Sequence, residues 1–162
     1  MGDCIFVPAG TVHALGAGLV VAEIQQSSDT TYRIFDWNRV GPDGKPRALH
    51  LAEALEAIDF AAGPIAPSVP VPAEQPSCER LVACSKFVLQ RWRIDSAAVL
   101  GGSGGFHLLV VVQGEVRVEG DPAGTSLRFG ETLLLPASLG AVQVTAVKPS
   151  VVLDVFLPQI GP

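Results

Sequence analysis

The sequence predicts a mainly β protein, an antiparallel barrel or jelly roll with one short helix and a proline-rich connector. Three observations carry this expectation. Residues 78–162 break into eight short apolar runs separated by glycine, proline or polar residues, the spacing of an antiparallel barrel or sandwich. Gly130-Glu-Thr-Leu-Leu-Leu-Pro136-Ala137 repeats Gly2-Asp-Cys-Ile-Phe-Val-Pro8-Ala9 residue class for residue class, so one strand-and-corner unit occurs twice. Helical periodicity is confined to a single stretch, and Pro64, Pro67, Pro70, Pro72 and Pro76 together forbid helix or central strand around them.

Composition sets the outer bounds. A chain of 162 residues suits one domain, or a small domain plus a partial one. With 48% hydrophobic and 17% charged residues it can build a sizeable core. No apolar run reaches the roughly 18 residues of a membrane span, so no membrane partner is expected. The net charge of −5 argues against a nucleic-acid partner. Cys4, Cys78 and Cys84 form no CxxC pair, which reads as buried or inert thiols in a reducing compartment. Met1-Gly-Asp shows neither a basic nor an apolar leader region, so the expected location is cytoplasmic.

Taken in order, residues 1–40 read as strand, corner, strand, strand, with the strands at 4–7, 19–25 and 30–35. Alternation puts Thr31, Arg33 and Phe35 on one face, and places Glu23 and Gln25 together on another. Residues 41–61 follow as a turn, Gly41-Pro-Asp-Gly44, and a helix over 51–58 with Leu51, Leu55 and Ile58 as its apolar stripe. Residues 62–77 form the extended connector, with Ile65, Val69 and Val71 spaced to pack. Residues 78–162 carry strands at 80–84, 86–94, 106–113, 115–119, 125–129, 132–135, 141–146 and 150–157, with a tight hairpin at Gln113-Gly-Glu115.

The first corner has a further property. Gly2, Pro8, Gly10 and His13 follow the spacing Gly-x5-Pro-x-Gly-x2-His, which resembles the second motif of the cupin superfamily, small β-barrels whose histidine usually faces a metal. Behind it, Glu23-Ile-Gln-Gln-Ser-Ser-Asp29-Thr-Thr-Tyr-Arg33-Ile-Phe-Asp36-Trp37-Asn-Arg39 packs charged and amide groups into an apolar protein. With that stretch the chain from Gly2 to about Phe60 resembles the type I phosphomannose isomerases, zinc-dependent enzymes interconverting mannose 6-phosphate and fructose 6-phosphate. The match is to a carboxy-terminal portion, and the family's amino-terminal half has no counterpart. Residues 1–40 then correspond to the last strands of a metal-binding cupin, and residues 78–162 to a second, ligandless cupin barrel. In that second copy Ala141 stands where the first has His13. His107 falls at the glutamate position of the first cupin motif, and Gly101-Gly-Ser-Gly-Gly105 before it offers no imidazole. His107 is therefore expected to be structural.

The resemblance also assigns roles. Of the family's four zinc ligands only the corner histidine is present, as His13, so the zinc ligand set of this chain is incomplete. Arg33 matches the arginine of the family's SD-x-x-x-R string and would stabilise the enediolate or the phosphate; the competing reading is an ion pair with Asp29 or Asp36. Glu23 and Asp29 lie at substrate-adjacent positions, and either could be the base; Asp29 could equally cap its turn. Gln25 and Gln26 read as polar lining or ladder partners, and Asp36-Trp37-Asn-Arg39 as an intramolecular clamp. His50 belongs to the start of the helix or the surface, and Lys45 and Arg47 are exposed turn charges. The function implied is mannose-6-phosphate isomerase, inactive as the isolated chain, with a sugar phosphate as substrate. A homodimer or a missing amino-terminal half would complete it. The alternatives are a non-catalytic cupin-like sugar-phosphate-binding module and one subunit of a split isomerase.

Overall fold

The computed structural model describes residues 2–28 and 30–159, which fall into two compact units: residues 5–66, and residues 67–162 together with residues 1–4. The larger unit is an antiparallel sheet of eight strands: β1 (Val71–Pro72), β2 (Cys78–Ala83), β3 (Val88–Ile94), β4 (Ala97–Gly101), β5 (His107–Val118), β6 (Leu127–Arg128), β7 (Thr132–Leu135) and β8 (Ala141–Phe156). The strand order is β1-β2-β3-β8-β5-β6, with β4 also on β8 and β7 also on β5. This is the mainly β, antiparallel architecture expected of the sequence. Ile94, Leu100, Leu109, Val111, Val116, Val144 and Val152 are its most deeply buried apolar side chains. Each contributes about 1.5–3 kcal/mol by leaving water.

Two expected boundaries are corrected. Gln113-Gly-Glu115 is not a hairpin: β5 runs straight through it, paired to β8 on both sides with a register shift at the glycine. The bulge changes which residues face inward. His107, Leu109 and Val111 are buried before it and Val116 and Val118 after it, so the inward parity flips from odd to even. Gly114 has φ +83°, and a Cβ there would lie 2.2 Å from Ser150 Oγ and 2.4 Å from Pro149 O. The buried Ser150 hydroxyl accepts the Glu115 N–H at 2.8 Å and donates to the Lys148 carbonyl at 2.7 Å, satisfying backbone groups that the bulge leaves out of the ladder. Likewise the expected strands 141–146 and 150–157 are one strand, β8, and β4 was not anticipated because the turns around it are short.

The connector is partly a strand: Val71 and Pro72 pair with Arg80 and Glu79 at the sheet edge, where a missing N–H is tolerated. Ile65, Val69 and Val71 remain exposed rather than packed, Val69 at 83%. Gly2 is held to the sheet through its carbonyl, which accepts from the buried Arg91 guanidinium; Arg91 Nε also donates to Glu79 at 2.6 Å. Cys78 is buried, and desolvation followed by the nearby Asp154 and Glu79 carboxylates pushes its thiol up to about 11, the inert thiol the composition suggested.

In the smaller unit the expected strands at 4–7, 19–25 and 30–35 do not form; residues 4–7 straddle the division between the units. Among the described residues these segments find no ladder partner, and a segment without one is not a sheet strand. A single bridge, Val40 to Pro46, closes the Gly41–Gly44 turn. The helix α1 (Leu51–Ala57) forms as expected, but its buried contact is Ala54 at 3% exposure. Leu51 and Leu55, read as the inward stripe, are 55% and 61% exposed. No described helix is long and apolar enough to cross a membrane.

Because Gly114 combines left-handed φ with contacts no Cβ can share, Gly114→Ala is expected to destabilise the larger unit by at least about 2 kcal/mol. Gly63→Ala, where the added carbon meets nothing within 4 Å, is expected to be near neutral; thermal denaturation of the two variants checks the contrast.

Candidate functional site

The corner that opens the chain forms as its residues require. Thr11 N–H bonds the Pro8 carbonyl at 3.3 Å across Ala9 and Gly10, and Gly10 takes φ +85°. The Gly10 carbonyl accepts from Asp59 N–H at 3.0 Å, and a Cβ on Gly10 would come within 2.9 Å of Ala57 O, so this turn and the end of α1 lie against each other only because residue 10 is glycine. His13 follows, exposed. Its Nδ1 lies 3.0 Å from Thr11 O; as a donor there, it leaves the lone pair on Nε2.

Arg33 is held from three directions. Its N–H donates to His50 Nδ1 at 3.1 Å while its carbonyl accepts from His50 N–H at 2.8 Å, a two-ended clasp between the 30–35 segment and the residue that starts α1. Its guanidinium donates to Ala48 O at 3.2 Å and lies 3.7 Å from Asp36 Oδ1. Asp36, 8% exposed, is the centre of this network: Arg47 grips it with both arms, Nε to Oδ2 at 2.7 Å and Nη2 to Oδ1. The Arg47 bond, the largest influence, outweighs burial and with Arg33 and Arg39 holds the Asp36 carboxyl below the usual aspartate range. The same bond raises Arg47.

These contacts correct and refine the expectations. Arg47 is not a turn charge exposed to no purpose but the chief partner of Asp36. The clamp at 36–39 exists, with Trp37 and Asn38 both in left-handed backbone, Arg39 N–H bonded to Asp36 O at 2.9 Å, and the Arg39 guanidinium 5.7 Å above the Trp37 ring. His50 does start α1, and its ring is engaged as well. Glu23 is exposed with no hydrogen bond or ion pair among the described residues, and Gln25 and Gln26 line an open depression with Ser27 and Ser28 instead of joining a ladder. Asp29 lies outside the described residues. The network thus joins Arg33, Asp36, Arg47 and His50, and leaves His13 and Glu23 outside it. Among the described residues no group of three His, Cys, Asp or Glu side chains is placed to hold a metal.

In the larger unit His107 is 3% exposed; its Nδ1 meets Asp154 Oδ1 at 2.7 Å and its Nε2 meets Ser103 Oγ at 2.8 Å. Asp154 was not anticipated, since it stands 47 residues away and only the β5–β8 register brings it near.

No protein-family model matches the chain. It is 37% identical over 146 residues to the mannose-6-phosphate isomerase ManA of Bacillus subtilis, an alignment covering 86% of this chain and 44% of that protein. The chain belongs to the mannose-6-phosphate isomerase family. Its fold superposes on the crystal structure of the Bacillus subtilis mannose 6-phosphate isomerase with a TM-score of 0.68 at 22% identity, over 82% of this chain and 42% of that one. The mannose 6-phosphate isomerase of Salmonella typhimurium, solved bound to fructose 6-phosphate and zinc, superposes with a TM-score of 0.56 at 16% identity, over 71% of this chain and 29% of that one. The chain spans less than half the length of the relatives it matches.

A carboxyl held below its usual range stabilises the fold above the ordinary aspartate pKa of 3.8, and that stabilisation is lost as pH falls through the depressed value. The backbone amide resonances of Arg33 and His50 are therefore expected to keep their folded positions down to that pH and to shift below it. In Asp36→Ala they are expected to be displaced at every pH.

Proposed function

We propose that the chain is the carboxy-terminal portion of a cytoplasmic mannose-6-phosphate isomerase, contributing to the interconversion of mannose 6-phosphate and fructose 6-phosphate. The observation that carries the reading is the 37% identity over 86% of the chain to an isomerase of that name. In this reading residues 1–40 belong to the metal-binding barrel, residues 41–61 are its turn and short helix, residues 62–77 link, and residues 78–162 are a second barrel without metal ligands.

Aldose–ketose isomerisation moves one proton between adjacent carbons through an enediolate, so it needs a base and a fixed positive group. Glu23 or Asp29 supplies the base. Arg33, whose backbone is clasped by His50, supplies the fixed charge that stabilises the enediolate or the phosphate. Zinc, when bound, polarises the sugar oxygens. His13 suits one zinc ligand, because the bond from Nδ1 to Thr11 O leaves the lone pair on Nε2; one imidazole does not hold zinc, and the remaining donors are outside this chain. The substrate-competent form is accordingly an assembly with chain that supplies them.

The surface of residues 5–66 favours that assembly. Val20 is 89% exposed, Phe60 73% and Leu19 64%, on segments whose backbones have no ladder partner among the described residues, and apolar surface of this extent suits burial against further protein. A second copy of the chain is the other candidate to cover it.

Mixing the chain with the amino-terminal remainder of the Bacillus subtilis relative, in zinc, is expected to produce fructose 6-phosphate from mannose 6-phosphate. His13→Ala is expected to remove both zinc and turnover, and Arg33→Ala to lower kcat roughly 100-fold with zinc retained. Turnover and zinc content unaffected by His13→Ala would overturn the assignment. Mannose 6-phosphate bound by the chain alone without zinc would favour a non-catalytic sugar-phosphate module.

A further inference from the structure

Three polar side chains meet where β5 begins. His107 stands opposite Phe156 on β8, and Asp154, two residues earlier on β8, faces the same side of the sheet. The His107 Nδ1–H donates to Asp154 Oδ1 at 2.7 Å, with both residues at most 3% exposed. That bond leaves the lone pair on Nε2, which accepts the Ser103 hydroxyl at 2.8 Å. The Phe156 ring packs against the imidazole at 4.6 Å between centroids. A histidine that only fills a core would have its chain of bonds closed inside; here the chain ends on a half-buried serine hydroxyl in a glycine loop.

That loop, Gly101-Gly-Ser-Gly-Gly105, is held in place. Gly101, Gly102 and Gly104 all have positive φ, and a Cβ on Gly101 would lie 2.8 Å from Gly140 O. Gln159 Nε2 donates to the Ser103 carbonyl at 3.1 Å. At Gly104 an added Cβ would meet nothing within 4 Å, and Gly105 N–H donates to Ser103 Oγ at 3.4 Å.

We propose that Ser103, His107 and Asp154 form a hydrolytic triad that cleaves small activated esters, independent of the sugar-phosphate chemistry of residues 1–40. Ser103 Oγ attacks the carbonyl carbon while its proton passes to His107 Nε2. The Asp154 carboxylate balances the imidazolium; it is a positioning residue, acting through His107. The bond to the leaving alcohol breaks as Nε2 returns the proton to that oxygen. Water then attacks the acyl-serine by the same route, releasing the carboxylic acid and restoring the hydroxyl.

The test uses the intact chain with diisopropyl fluorophosphate, whose phosphorus takes Ser103 Oγ as the P–F bond breaks and fluoride leaves, and with p-nitrophenyl acetate. The expected result is one diisopropylphosphoryl group per chain, mapped to Ser103 by mass spectrometry and absent from Ser103→Ala. Asp154→Asn is expected to lower kcat for the acetate ester at least 100-fold with KM unchanged. No label above that on the denatured chain, or a label retained in Ser103→Ala, would overturn the proposal. Ser103→Ala alters only a half-buried hydroxyl, so the labelling result decides even if Asp154→Asn unfolds.

Discussion

β8 is hydrogen-bonded along both of its edges for most of its sixteen residues, to β4 and then β3 on one side and to β5 on the other. A slip of one residue in that strand would turn Val144 and Val152, both fully buried, toward solvent and break three ladders at once. The register is pinned by the bulge at Gly114, where a buried serine of β8 takes over backbone bonds that β5 cannot make. Inward positions on the two strands then stay in step along the whole sheet, although β5 changes parity halfway. Local strain at one glycine is thereby exchanged for a continuous core.

The same register puts a carboxylate and an imidazole side by side in that core. Burying either alone would cost several kcal/mol, and the pair is tolerable because each satisfies the other and the serine completes the chain. The chemistry of this group is that of a hydrogen-bond relay, and its place on rigid strands gives it fixed geometry.

Residues 5–66 are held by different physics. Few ladder bonds stabilise them; an arginine–aspartate–arginine network and a backbone clasp at Arg33 and His50 do so instead. Such a network fixes the direction of Arg33 without burying its apolar neighbours, which is why the segment keeps its polar geometry while exposing valines, leucines and a phenylalanine. On the proposed isomerase reading the charges would serve a site and the apolar surface would lie against further protein.

Several features were legible in the residues themselves. The proline spacing, the Pro8–Gly10 corner and the α1 stretch all rest on short-range chemistry, which acts within a few residues wherever the chain lies, whereas of the repeated unit only the second copy forms its strand. The likeness of residues 2–60 to an isomerase was legible for the same reason, as an ordered string of residue types. Tertiary structure decided the rest. Whether 4–7, 19–25 and 30–35 become strands depends on an edge to pair with, which no local pattern supplies. Gln113-Gly-Glu115 has the composition of a hairpin, and only the opposing strand makes it a bulge. Arg47 finds Asp36 across a turn, Asp154 finds His107 across 47 residues, and Ala54 rather than Leu51 meets a neighbour, because contacts between distant residues are set by register and packing.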